Sequence, residues 1–143
     1  MSETEIQALL AECALQMIAR REHLKASGRT NLLMSYLNEE ISYEGFELLE
    51  DALLPDKGAA NSYIPKNPEL FVTEYVYAES VDVLGNLYLS CRNKSSRMAT
   101  GSYYTPAAIA GKMVEHLSEK NDLEGRTIFY PCCGTVTFLM QMP

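Results

Sequence analysis

The first twenty residues repeat apolar positions at helical spacing. Ile6, Leu9, Leu10, Cys13, Met17 and Ile18 recur every three or four residues, which predicts an amphipathic helix capped by Ser2 and closed by Gly28. A second helix is expected from residue 31 to about 40, burying Leu33, Tyr36 and Leu37. A third follows Ser42 and turns Phe46, Leu49 and Leu53 inward until Pro55 stops it. Residues 55–68 form a loop by their local signals, among them Asp56, Gly58, Asn61, Pro65 and Asn67. Pro68 suits the first position of a further helix through Leu70, Phe71, Glu74 and Tyr75. Valine and tyrosine at 72–77 would also serve a strand, but the four-residue spacing favours helix.

Beyond this point Ser80 is expected to cap a helix holding Val81, Leu84, Leu87, Tyr88 and Cys91. Residues 92–101 are polar and read as a flexible connection. The next helix opens at Thr105-Pro106, with Thr as cap and Pro in the first turn. Its expected buried stripe is Ile109, Met113, Val114 and Leu117, and it ends near Asn121. Only at residues 127–130 does the period change, to a short β-rich run broken by Pro131 and opening into Cys132-Cys133-Gly134. The chain carries no internal repeat. The pattern is five or six helices, then one strand.

Composition sharpens this picture. Apolar residues make up 47 % and charged residues 22 % of the 143, which excludes general disorder and suits one domain with a real core. The formal charge of −7 repels a phosphate backbone, so the chain is not expected to grip nucleic acid unaided. Arg20, Arg21 and Lys25, and then Arg92, Lys94 and Arg97, form two local basic clusters, best read as solvated surface. Cys13, Cys91, Cys132 and Cys133 lack the paired spacing of a zinc site, so no metal is expected and reduced thiols are the simplest reading. His23 and His116 are far apart and read as surface residues. The acidic N-terminus has no signal-peptide pattern, and no apolar run approaches the roughly 18 residues needed to span a bilayer. A soluble, cytoplasmic protein is expected.

Two short motifs carry candidate chemistry. Gly101-Ser102-Tyr103-Tyr104-Thr105-Pro106 places aromatic rings and a hydroxyl beside the free N–H groups of a helix start, which suits an anionic group. Read by itself, it is equally an ordinary capped helix with tyrosines packed on a core. Ile128 to Leu139 runs from a buried strand through Pro131-Cys132-Cys133-Gly134-Thr135 into an apolar helix start, the way open α/β sheets build a nucleotide pocket. Alone, that too is an ordinary strand-to-helix turn.

In this order, about 28 residues apart, the two motifs resemble the N-6 DNA methylase family, adenine-specific methyltransferases of restriction-modification systems. Those proteins carry G-x-[FY]-[YF]-T-P, a helix, and then D-P-x-C-G-[ST]-G-x-[FL]. The stretch Val83-Leu84-Gly85-Asn86-Leu87-Tyr88, preceded by Asp82, also resembles the family's D-x-L-G-x-x-Y approach. The resemblance covers residues from about 80 onward. It implies a helical N-terminal domain (1–100), then the first strand and cofactor loop of a Rossmann-like methyltransferase domain (101–143), truncated in this chain. By the same resemblance Tyr103, Tyr104, Thr105 and Pro106 would line the methionine end of S-adenosylmethionine. Cys132, Cys133, Gly134 and Thr135 would form the loop beneath it. The implied chemistry is methyl transfer to the exocyclic amino group of a flipped adenine.

Two positions depart from the family pattern. Tyr130 stands where an acidic residue is expected, and Val136 stands where the loop's second glycine is expected. Valine resists positive φ and occupies space near the ligand, so both changes are expected to weaken cofactor binding. The family's Asn/Asp-Pro-Pro-aromatic motif does not occur in the sequence, and no catalytic residue is assigned. DNA is therefore expected as a partner only in a full-length enzyme. The alternative reading is a helical interaction module that docks on a complete methyltransferase or its specificity subunit. A dinucleotide-binding role is disfavoured because the loop lacks G-x-G-x-x-G.

Overall fold

The computed structural model describes residues 1–21, 31–58, 63, 66–76, 78, 81–100, 104–121, 123–131, 134 and 137–142. The described part is mainly helical. It divides into two compact units, Met1–Tyr77 and Ala78–Pro143.

In the first unit α1 spans Glu3–Arg21. Ser2 starts it as expected: its hydroxyl accepts the Glu5 N–H at 3.2 Å while the Glu5 carboxylate accepts the Ser2 N–H at 2.8 Å. This reciprocal pair satisfies two donors that helix geometry leaves over. Glu3 and Glu5 in the first turn and Arg20 and Arg21 in the last complement the helix dipole. The expected stop at Gly28 lies outside the described residues.

Packing around α1 is wider than one stripe. Ile6, Leu9 and Cys13 are buried as expected, but so are Ala8, Ala11, Ala14, Leu15 and Ala19. Small alanines let neighbours approach on several sides, and α1 contacts α2 (Leu32–Leu37), α3 (Glu47–Leu53) and a 3-10 turn at Pro68–Phe71. Leu10, Met17 and Ile18 are only half-buried. Tyr36 and Phe46 meet edge to face with centroids 4.7 Å apart, and Leu33, Leu54, Tyr63 and Phe71 complete the core.

Glu12 and Gln16 are polar yet buried within this core. The Glu12 carboxylate accepts the Leu33 N–H at 2.7 Å and the Gln16 side-chain amide at 2.7 Å. It thereby caps α2 from another helix, because Asn31 sits at the cap position with φ 61° and makes no side-chain cap bond. Gln16 also donates to the Thr73 carbonyl at 3.0 Å and accepts the Tyr75 N–H at 2.8 Å. Residues 73–75 are held to α1 by these bonds rather than continuing the helix expected from Pro68. The helical turn ends at Phe71.

Other expectations in this unit are corrected in detail. α2 is shorter than predicted because Asn38 closes it and Glu39 adopts φ 59°. Leu49 is exposed, and Leu54 takes the interior place instead. The chain leaves helical geometry at Leu54, one residue before Pro55.

In the second unit α4 spans Val83–Cys91, α5 spans Lys94–Thr100 and α6 spans Ala107–Lys120. Ser80 lies outside the described residues; Asp82 caps α4, accepting the Gly85 N–H at 2.7 Å. α5 replaces the flexible connection expected at 92–101. Its sequence has no apolar stripe to announce a helix. In α6 only Ala110 and Val114 are buried, whereas Ile109, Met113 and Leu117 are 46–55 % exposed. The inward face is thus rotated toward Ala110 and away from the larger residues. A second 3-10 turn, Leu139–Gln141, packs on α6.

The strand expected at 127–130 does not form. No ladder involves these residues, Ile128 is 44 % exposed and Phe129 is 87 % exposed. A strand is stabilised by a paired neighbour, and none is present among the described residues. The structure is accordingly helical without a sheet among those residues.

Glu12→Ala should lower the unfolding free energy by about 2–4 kcal/mol, because it strands the buried Leu33 N–H and takes one of the two acceptors from the Gln16 amide. Urea denaturation of E12A beside the exposed-site variant E47A tests this. A loss as small as that of E47A would contradict it.

Candidate functional site

The two motifs meet in the second unit. Gly134 has φ 50°, and a Cβ built on it would lie 3.6 Å from Cδ1 and 3.8 Å from Cε1 of Tyr104. The tyrosine of the first motif therefore lies against the backbone turn of the second. Positive φ accounts for glycine at this position, and the ring explains why the surrounding space is bounded.

Tyr104 and Thr105 are half-buried and Pro106 is exposed. Tyr103, Cys132, Cys133 and Thr135, also expected to line this place, lie outside the described residues, as does Val136. The start of α6 is shifted by one residue from expectation. Pro106 itself, with φ −57° and ψ 139°, is the cap, and no side chain caps the helix. The Pro106 carbonyl accepts the N–H groups of Ile109 and Ala110 at 2.9 and 3.0 Å. Those of Ala107 and Ala108 precede any helical acceptor and could meet a ligand oxygen.

Three residues that the sequence did not assign to the site bear on Tyr104 electrostatically. Burial, then the Tyr88 hydroxyl and the Asp82 carboxylate, push its phenol above the ordinary tyrosine range, while the Arg92 cation opposes them. Arg92 lies 4.7 Å from the centroid of the Tyr88 ring. Asp82 and Arg92 stand at the N-cap and C-cap of α4. The spacing of Asp82 before Gly85 was a legible cap signal; Arg92 was hidden in a stretch read as a loop.

Tyr130, where the family pattern wants a carboxylate, packs edge to face on Phe138 with centroids 5.7 Å apart. Its ring is thus engaged within the unit's own apolar packing. Thr137 is buried beside this segment in sequence.

Elsewhere the described residues offer little chemistry. Burial and, secondarily, Glu12 push the Cys13 thiol up to about 12, so no thiolate forms there at neutral pH. His116 is exposed and lies 3.6 Å from the Glu119 carboxylate. No group of three or more His, Cys, Asp or Glu that could hold a metal occurs among the described residues. None of the described helices is long and apolar enough to cross a membrane. A cavity of about 670 Å³ in the first unit is lined by Met17, Ile18, Arg20, Arg21 and Val76. Arg20 pairs there with Glu74, and none of the described lining residues is a nucleophile.

Comparison with known proteins bears on the same segment. The family model for N-6 DNA methylase matches residues 79–143. Residues 79–143 are an N-6 DNA methylase family segment. The match begins just ahead of α4 and includes both motifs, so Tyr104 and Gly134 both lie within the matched segment. No curated protein and no solved structure matches the chain.

Gly134→Ala should destabilise the second unit by about 1–2 kcal/mol, the cost of a left-handed backbone for a residue bearing a Cβ. Hydrogen exchange of α6 amides reads this loss, and unchanged protection would contradict the assigned turn. Cys13 should resist iodoacetamide in the native protein at pH 8 and react only on unfolding. Mass spectrometry of the labelled peptides reports it, and rapid native labelling would show that the thiol is not shut in as described.

Proposed function

We propose that this chain carries the opening part of an S-adenosylmethionine-dependent adenine methyltransferase, with its cofactor-binding region in outline and no methyl transfer by these 143 residues alone. The observation that supports it is the approach of Tyr104 to the Gly134 turn within the methylase segment. In this reading Tyr103, Tyr104, Thr105 and Pro106 face the methionine end of the cofactor. Cys132, Cys133, Gly134 and Thr135 pass beneath it. The free N–H groups of Ala107 and Ala108 suit the cofactor's carboxylate. When bound, S-adenosylmethionine supplies an electrophilic methyl group; these residues only bind and orient it.

Residues 101–143 are proposed as the start of the methyltransferase domain, with residues 1–100 as a helical N-terminal domain. Residues 127–130 would be the first strand of a Rossmann-like sheet once neighbouring strands are supplied. The exposed Ile128 and Phe129 support this, because a strand inside a parallel sheet is apolar on both faces. DNA binding belongs to a full-length enzyme, since the net charge of −7 opposes it here. A second reading, a helical module that docks on a complete methyltransferase or its specificity subunit, is favoured by the exposed Ile109, Met113 and Leu117 stripe.

Tyr130 and Val136 are expected to reduce cofactor affinity. A tyrosine supplies no carboxylate for the cofactor's positive end, and valine crowds the loop. Isothermal titration should therefore show no S-adenosylmethionine binding at micromolar concentration. The double variant Tyr130→Asp, Val136→Gly should gain at least about tenfold in affinity, equivalent to roughly 1.4 kcal/mol. Micromolar binding by the unaltered chain would overturn the weakening, and no gain in the variant would overturn the site.

A further inference from the structure

We propose that the cavity at the C-terminal end of α1 is a binding site for a fatty-acid-like carboxylate, with the alkyl tail against Met17, Ile18 and Val76 and the head on Arg21. Every residue involved lies in the first unit, outside the segment on which the cofactor reading rests.

The last turn of α1 builds one wall. Ala19 is fully buried in the core, whereas Met17, Ile18 and Arg20 are half-buried and Arg21 is exposed. At about 100° per residue, positions 17, 18, 20 and 21 share the side of the helix opposite Ala19. Together with Val76 they line a space of about 670 Å³, within the usual range of small-molecule sites. The residues just before Val76 are tied to α1. Gln16 binds the Thr73 carbonyl and the Tyr75 N–H, and Arg20 pairs with Glu74. This wall is therefore in place before a ligand arrives, which spares part of the ordering cost.

The chemistry of the lining selects the ligand. Its apolar members are thioether and alkyl chains, with no aromatic face among the described lining residues, which suits a flexible methylene chain better than a flat ring. The two cations differ. Arg20 is neutralised by Glu74, and Arg21 has no ion-pair partner among the described residues. A guanidinium takes a carboxylate through two parallel N–H···O bonds. Complementing the helix dipole accounts for basic residues in the last turn of α1. It does not account for the apolar space that Arg21 borders.

The test titrates sodium dodecanoate, kept below its micelle concentration at neutral pH, into the full chain carrying 13C-labelled methionine methyls. M17L and M113L assign the two diagnostic signals. Met17 should shift with a dissociation constant below about 100 µM, while Met113, on the exposed stripe of α6, should not move. Dodecyltrimethylammonium (the same tail with a cationic head) and acetate (the head alone) should each bind at least about tenfold more weakly. The net charge of −7 favours the cationic amphiphile, so a preference for the anion runs against the overall field. Arg21→Gln should lose at least about tenfold in dodecanoate affinity, and R21K should retain most of it. If R21Q fails to fold, Val76→Glu at an exposed position sets a carboxylate against that of the ligand and should give the same loss. No shift at Met17, an equal shift at Met113, equal affinity for the cationic amphiphile, or unchanged affinity in folded R21Q or V76E would overturn the site.

Discussion

Glu12 holds a carboxylate out of water inside a core otherwise built from alanine, leucine and aromatic rings, and the first unit is organised around its two acceptor bonds. A buried charge of this kind is tolerable only when its lone pairs are occupied. One bond goes to the start of α2 and one to Gln16, which passes the connection on to residues 73 and 75. Three segments distant in sequence are thus tied to one face of α1. The aromatic contact of Tyr36 on Phe46 and the Asn31 N–H donated to the Phe71 carbonyl close the same arrangement.

The second unit is built differently. Ala110, Val114, Gly85 and Thr137 are its buried residues among those described, while Ile109, Met113, Leu117, Ile128 and Phe129 are exposed. Apolar surface of this kind is normally covered in a finished domain. One local approach in this unit is that of Tyr104 to the turn at Gly134.

Sequence reading located α1, its Ser2 cap, α6 and its end, and both motifs, because each has a local chemical signature. Ser2 and Glu5 are three residues apart, and Gly101 to Pro106 is a contiguous word. It missed α5, whose residues Lys94 to Thr100 lack apolar periodicity. It read Val114 as buried, as it is, but turned Ile109, Met113 and Leu117 inward with it, where Ala110 takes that place. Hydrophobic size indicates which residues could be buried, not which neighbour is available to bury them. The strand at 127–130 was read from β-branched and aromatic residues, yet strands are pairwise objects and this one has no partner among the described residues.

The sequence by itself determined the family of residues 79–143 and the order of the two motifs, because both are carried by contiguous residue types. Only the tertiary structure decided that Tyr104 reaches Gly134 and that Glu12 caps a helix to which it does not belong. Those are relations across 10 to 30 residues, and they depend on how helices pack rather than on what any one segment prefers.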